Sequence, residues 1–238
     1  MLRSVNATVY VTPLREGGSL PAIVEADDDG MYVVKFRGAG QGVKALVAEI
    51  VAGELGRTLG LQVPELVLVE LDATIGAAEP DPEIQDLLTA SVGSNVGLDF
   101  LPGALAFTDQ SLDEELAANI VWFDALVTNV DRTPRNPNLL EWHGRIWLID
   151  HGAALYQHHV GDELAPDAPF PMIRDHVLLS QAGSIVDAHE RLAPLLDRAV
   201  LDRIVELLPD GWRGPDYAGY LERRLRGGFA QEAEDARG

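Results

Sequence analysis

A proline-interrupted segment followed by a short β-hairpin is the feature that most restricts how this chain can fold. Residues 129–137 cannot lie inside a helix, because two prolines interrupt the segment. Two apolar stretches follow, 138–142 and 145–149, and the His143-Gly144 pair between them is a connection typical of a two-residue β-hairpin. The sequence therefore predicts an irregular loop that leads directly into a hairpin.

Three polar side chains occupy the two ends of this hairpin. Asp131 and Asn136 lie in the loop that enters it, and Asp150 follows its second strand. Because a short hairpin brings its open ends together, we expect the three side chains to converge. A carboxylate that accepts a proton, with an amide oxygen and a second carboxylate that bind Mg²⁺, is the set that phosphoryl transfer requires. The alternative is that these side chains only form turn hydrogen bonds and a strand cap.

A lysine in an apolar strand is the second candidate. Residues 31–36 predict a strand, and Lys35 within it needs a counter-charge if it is buried. Glu49 and Glu54 on a predicted helix, 45–59, are the two candidates. In phosphotransferases such a lysine contacts the nucleotide phosphates and pairs with a helix glutamate. The alternative is a lysine that reaches solvent at the sheet edge, with both glutamates solvated.

A glycine-rich turn precedes that strand. Gly17, Gly18 and Ser19 lie between two predicted strands, where backbone N–H groups can approach a phosphate. Glycines in hairpin turns are also common without any ligand. The turn does not match the G-x-x-x-x-G-K-[ST] pattern, so a P-loop NTPase is not indicated.

Composition excludes several classes of function. The chain has no cysteine, which rules out disulfides, thiolate zinc sites and iron–sulfur clusters. Its formal net charge of −20, without a cluster of Lys and Arg, predicts that it does not bind nucleic acid. No apolar run is long enough to span a bilayer, and the N-terminus lacks the apolar core of a secretory signal, so we expect the cytoplasm.

The rest of the chain is predicted to be mainly helical. Residues 72–95 are polar and are interpreted as a lobe connection or an inserted loop. A helix is expected at 112–128, where Ser111 and Glu114 form a capping-box pattern. Further helices are expected at 175–181, 185–192, 195–208 and 217–225. The polar tail, 227–238, is expected to be frayed.

Together, these segments resemble the HipA-like kinases, in particular a short actinobacterial-type branch without the toxin–antitoxin N-terminal subdomain. The resemblance covers residues 6–155, and its most specific part surrounds Asp131. The resembling segments are 17–19, 32–36, 49–64, 124–140 and 148–152.

The resemblance implies an α+β, two-lobed, protein-kinase-like fold. The first lobe, 1–103, would contain an antiparallel sheet, one helix and the lobe connection, with adenine near 97–100. The second lobe, 104–226, would be mostly helical. The resemblance also implies that the chain uses ATP and Mg²⁺ and transfers the γ-phosphoryl group to a hydroxyl.

The resemblance assigns roles by position. Asp131 would be the catalytic base, with Arg132 beside it and Lys35 on the phosphates, while Asn136 and Asp150 would bind Mg²⁺. The nucleotide-binding set would comprise Gly17, Gly18, Ser19, Lys35 and Glu49. Glu49 is preferred to Glu54 because it lies at the family's distance before the end of the helix.

Two residues depart from related kinases. Thr133 stands where histidine is common two residues after the base, and His151 stands where Asp-Phe-Gly sequences have phenylalanine. Neither change removes a metal ligand. Three functions stay open: a kinase acting on Ser or Thr of a protein or of itself, a small-molecule or lipid kinase, and a nucleotide-binding pseudokinase that serves as an interaction module.

Overall fold

The computed structural model describes residues 2–14, 20–76, 79–108, 110–161 and 164–238. The described residues form a strand-rich first lobe (2–99) and a mainly helical second lobe (105–238). This α+β, two-lobed architecture is the one predicted from the sequence. No helix within these ranges is long and apolar enough to cross a bilayer.

The first lobe is built on a closed five-stranded barrel. Its strands run in the spatial order β1-β2-β3-β5-β4. The strands are β1 Ser4–Pro13, β2 Ala22–Ala26, β3 Met31–Lys35, β4 Leu66–Leu71 and β5 Gly93–Asp99. Alternate residues of β2 and β3, such as Val24 and Val34, point into the barrel, as the two-residue period of a strand requires.

The prediction of an antiparallel sheet needs one correction. All neighbouring pairs in the barrel are antiparallel except β1 with β4, which run parallel from Ser4↔Leu68 to Asn6↔Glu70. These two strands are not consecutive in sequence, so no tight turn forces them to be antiparallel. Their pairing joins the two edges of the sheet and closes the barrel.

Helix α1, Val43–Thr58, packs against both lobes. It packs closely on β4, since a Cβ on Gly53 would lie 2.8 Å from a methyl carbon of Leu66 and would force that side chain to shift. One turn later, a Cβ on Gly56 would lie 3.4 Å from the ring of Phe123 in the second lobe. The helix is therefore held between the barrel and the second lobe.

The polar segment 72–95 is more ordered than predicted. It contains helix α2, Pro82–Ala90, and the beginning of β5. Asp81 caps α2 by accepting a hydrogen bond from the Glu83 amide. Pro82 is tolerated because it occupies the first turn, where its missing amide is not needed. Pro82 thus marks the beginning of a helix within the segment that was expected to be a connection or loop.

The second lobe is organised around helix α3, Glu114–Leu126, and the predicted hairpin. Asp113 caps α3, so the expected capping box at Ser111 is wrong by two residues. Strands β7, Leu139–Trp142, and β8, Arg145–Leu148, pair as predicted. His143 and Gly144 both have positive φ, as a type I′ turn requires. A short strand, β6 Leu105–Ala106, pairs with β7.

Shorter helices complete the second lobe. They are α4 Tyr156–Val160, α5 Ile185–Leu192, α6 Arg198–Val205 and α7 Tyr217–Leu225. The helix expected at 175–181 is instead divided between two 3₁₀ turns, Pro171–Asp175 and Leu179–Gln181. The helix expected at 195–208 is shorter because Asp197 caps it at its start.

The C-terminal segment corrects the prediction of a frayed tail. Residues Phe229–Ala236 form helix α8, which buries Phe229, Ala230 and Ala233. The Phe229 ring lies 5.6 Å from that of Trp122 in α3, and Glu234 accepts a 2.6 Å hydrogen bond from the Ile185 amide at the start of α5. The apolar face was overlooked because it is short and consists mostly of alanine.

We expect Phe229→Ala to lower the free energy of unfolding by about 3 kcal/mol, because it leaves a cavity between α8 and α3. The measurement is urea unfolding followed by circular dichroism. Gln231→Ala on the exposed side of the same helix serves as the control and should change stability by less than about 0.5 kcal/mol. Equal effects of the two substitutions would contradict a docked α8.

Candidate active site

A cavity of about 430 Å³ lies between the first lobe and the hairpin. Lys35, Asp131, Asn136 and Asp150 all line it. The ends of β7 and β8 place the three hairpin side chains there, and the end of β3 places the lysine opposite them. The structure therefore brings the three hairpin side chains together as expected, and Lys35 lines the same cavity.

Lys35 forms ion pairs with two carboxylates. Its Nζ lies 2.6 Å from Glu49 Oε2 and also contacts Asp150 Oδ1. Burial lowers the pKa of Lys35, but the two carboxylates outweigh burial and raise it above its ordinary value. Burial raises the pKa of Glu49, but the positive charge of Lys35 is the main influence that brings it down to about 2. Both members of the buried pair are therefore charged at neutral pH.

The structure pairs Lys35 with Glu49 and not with Glu54. Glu54 lies on another side of α1, where its Oε1 is 3.3 Å from Arg57 Nε. Glu49 is completely buried, so its charge depends on partners supplied by the protein. This placement agrees with the preference for Glu49 that the family resemblance implied.

The carboxylate of Asp131 is half-buried and held by two amides. Asn136 Nδ2 donates to Asp131 Oδ2 over 2.8 Å, and Asn138 Nδ2 lies 3.3 Å from the same oxygen. Burial and the nearby charge of Asp150 raise the pKa of Asp131, against the lowering effect of the two amides. The turn hydrogen bonds of the alternative interpretation thus coexist with convergence on the cavity.

A buried carboxylate on α3 holds the loop that carries Asp131. Asp124 Oδ1 accepts a 2.9 Å hydrogen bond from Asn129 Nδ2. Its Oδ2 contacts Arg132 Nε and lies 2.9 Å from His176 Nε2. Burial raises the pKa of Asp124, but Arg132 and His176 more than offset this and hold it well below its usual range. Asp124 therefore fixes the loop at several points.

Arg132 joins the Asp131 loop to the hairpin. Its guanidinium is buried; besides Asp124, it donates to the Asn138 carbonyl over 2.5 Å and reaches the Ile149 carbonyl at 3.4 Å. It is not among the residues that line the cavity. Arg132 ties the loop to the hairpin, and its predicted catalytic role stays a prediction.

The comparisons with known proteins agree with this geometry. The family model for HipA-like kinases matches residues 9–222. The chain belongs to the HipA-like kinase family. It is therefore a kinase, and the resemblance found in the sequence is confirmed. No curated protein matches the chain.

Solved kinase structures share the fold of this HipA-like kinase. The Helicobacter pylori proinflammatory kinase CtkA superposes with a TM-score of 0.57 at 14% identity, and the match covers 98% of each chain. The Golgi casein kinase with Mn/ADP bound gives a TM-score of 0.57 at 14% identity, over 99% of this chain and 73% of its own. At these identities the matches establish a shared kinase-like architecture.

Two features predicted for the nucleotide site stay predictions. Gly17, Gly18 and Ser19 lie outside the described residues, so their predicted phosphate contact stays a prediction. Residues 97–100 form the end of β5 and the segment after it, which leads towards the second lobe. The placement of adenine beside them also stays a prediction.

A second glycine-rich segment of this HipA-like kinase lines the cavity and was not assigned a role from the sequence. Ala39, Gly40 and Gln41 border the cavity, and the segment ends at the first turn of α1. Gly40 and Gly42 have positive φ, which favours glycine. Glycine at every second position directly before a helix was the signal that could have identified it.

Proposed function

We propose that this kinase binds ATP with Mg²⁺ in the cavity and transfers the γ-phosphoryl group to a Ser or Thr hydroxyl of a protein. One observation carries the proposal: Asp131, Asn136, Asp150 and Lys35 line a single cavity, and Glu49 pairs with Lys35 behind it. This convergence favours transfer over nucleotide binding alone, because each group that the chemistry needs is present at one place.

The residues at the cavity fit a magnesium ion that is held partly by its substrate. Asn136 and Asp150 offer one amide oxygen and one carboxylate, which are hard oxygen ligands. Among the described residues, no group of three or more His, Cys, Asp or Glu side chains is arranged to hold a metal. A two-residue set leaves positions for phosphate oxygens and water, as Mg²⁺ in kinases requires. When bound, the ion would neutralise charge on the phosphates.

The side chains of the cavity divide the work of transfer. The acceptor oxygen forms a bond to the γ-phosphorus, the bond from that phosphorus to the β–γ bridging oxygen breaks, and ADP leaves. Asp131 orients the hydroxyl and takes its proton. Lys35 supplies a positive charge to the phosphates, and Glu49 keeps that ammonium in place from the buried side.

The accessibility of the loop supports a protein acceptor. Pro134, Arg135 and Asn136 are exposed beside Asp131, so a side chain on a large partner can reach the carboxylate. The net charge of −20 repels an anionic lipid surface and attracts a basic protein segment. The Golgi casein kinase, one of the structural neighbours, is named for a protein acceptor.

Binding of Mg-ADP tests the metal and nucleotide assignments. We expect Mg-ADP at one hundred times its Kd to stabilise the wild-type protein by about 2.7 kcal/mol in a thermal-shift measurement. Asp150→Ala should stay folded, because Glu49 still pairs with Lys35, but its shift should fall to that seen with ADP and a chelator. Asp86→Ala on the exposed face of α2 is the matched control. An undiminished shift in Asp150→Ala would exclude Asp150 as a metal ligand.

A further inference from the structure

The buried side of Glu49 carries an unmet hydrogen-bonding requirement. Its Oε2 binds Lys35, whereas its Oε1 has no hydrogen-bond partner among the described residues. A candidate donor for this oxygen is His151, whose Nδ1 lies 3.5 Å from Oε1. Both ring nitrogens of His151 are buried, and within the described ranges they too have no hydrogen-bond partner. Such groups are costly to leave unpaired in a protein interior.

His151 is placed to connect two segments that meet at the cavity. It directly follows Asp150, which contacts Lys35, and its ring packs edge-on against Phe123 with the centroids 5.8 Å apart. The segment that carries Asp150 and His151 is therefore linked to Glu49 at two places. Asp150 is linked through Lys35 at the cavity, and His151 faces Glu49 directly on the buried side.

Metal binding would change the positive charge that compensates the buried carboxylate of Glu49. In this structure, Lys35 is shared between Glu49 and Asp150. Under the proposed function, Asp150 would bind the metal, and Lys35 would stay on Glu49 Oε2 but share its charge with the phosphates. The buried carboxylate of Glu49 would then lose part of its compensation. A donor on its free oxygen would then restore it.

We propose that His151 is a positioning residue, which holds Glu49 by a hydrogen bond from Nδ1–H to Oε1 when Mg-nucleotide is bound. The inference rests on the proposed function and adds a role to a residue that departs from the Asp-Phe-Gly pattern. A small rotation of the ring closes the 3.5 Å separation to hydrogen-bond length. Metal binding at Asp150 is thereby coupled to the orientation of Lys35 through His151 and Glu49 of α1.

A ring that served packing alone would have no use for two buried nitrogens. Phenylalanine would fill the same space against Phe123 without desolvating a polar atom. Asparagine fills less space but offers an N–H at a position similar to Nδ1. If His151 acts by hydrogen bonding, His151→Asn should retain more function than His151→Phe. If it serves packing alone, His151→Phe should retain more.

The test compares His151→Phe and His151→Asn with the wild-type protein in steady-state ATP turnover and in Mg-ADP affinity by titration calorimetry. We expect His151→Phe to lower kcat roughly tenfold, as for loss of one hydrogen bond to a charged group, and to weaken Mg-ADP binding. His151→Asn should stay within about threefold of wild type on both measures. Asp86→Ala on the exposed face of α2, outside the cavity, is the control.

Two outcomes overturn the inference while leaving the proposed function intact. One is wild-type turnover and affinity in His151→Phe, and the other is a larger loss in His151→Asn than in His151→Phe. Failure of the proposed function is recognised separately, since the wild-type protein itself would then bind no Mg-ADP and turn over no ATP.

Discussion

Replacing Asp131 by asparagine is expected to slow phosphoryl transfer by roughly 10²–10⁴-fold, the usual contribution of a general base. The amide has the shape of the carboxylate, and its oxygen can still accept the hydrogen bond from Asn136 Nδ2, but it cannot take the proton of the acceptor hydroxyl. The measurement is initial-rate transfer from γ-labelled ATP, together with ADP release, for the wild-type and variant proteins.

The control for this experiment is nucleotide binding. Asp131→Asn should keep the thermal shift by Mg-ADP, because Asn136 and Asp150 hold the ion in the proposed arrangement. Asp150→Ala should keep only the shift seen with ADP and a chelator, so the two variants separate the proton acceptor from the metal ligand. Transfer by Asp131→Asn within about threefold of the wild-type rate would show that another group serves as the base.

Replacing Asp124 by asparagine is expected to lower the free energy of unfolding by about 3–5 kcal/mol, the cost of removing one partner from a buried ion pair. Asp124 is completely buried and holds Arg132, His176 and Asn129. The variant leaves the Arg132 guanidinium buried without its carboxylate. Urea unfolding at neutral pH measures the loss, and Asp86→Asn on the surface should change stability by less than about 0.5 kcal/mol.

The same variant makes a prediction about pH. The pKa of Asp124 is lower in the folded protein than in the unfolded chain, so its stabilisation is complete above the ordinary aspartate pKa of about 3.9. That stabilisation is lost as the pH falls through the folded value. The difference in stability between wild type and Asp124→Asn should therefore shrink below about pH 4. A difference that stays constant down to pH 3 would show that Asp124 is not held as a charged group.

The local features of the site were predictable because short-range rules decide them. Two prolines excluded a helix before the hairpin, and the His143-Gly144 turn fixed its register. Those two features predict that Asp131 and Asp150 lie close together, and both line the cavity. The helix glutamate that pairs with Lys35 was less certain from spacing alone, since Glu49 and Glu54 lie on the same helix and only packing distinguishes their faces.

The parts that sequence reasoning missed depend on contacts between distant residues. His176 meets Asp124 across 52 positions, and nothing in the local pattern of either segment indicates that pairing. The position of Arg132 beside Asp131 likewise does not reveal that its guanidinium is buried and donates to the Asn138 carbonyl. Helix α8 was missed because its stability comes from docking on α3 and α5, which outweighs a weak local signal.

The network around Asp124 lowers the conformational-entropy cost of binding the acceptor. Its bonds to Asn129, Arg132 and His176 order the Asp131 loop as part of the folded state. The conformational entropy of that loop is therefore given up during folding, and an incoming acceptor does not have to order it. Binding free energy that would otherwise be spent on organising the loop is then available to bring the hydroxyl into line with its target.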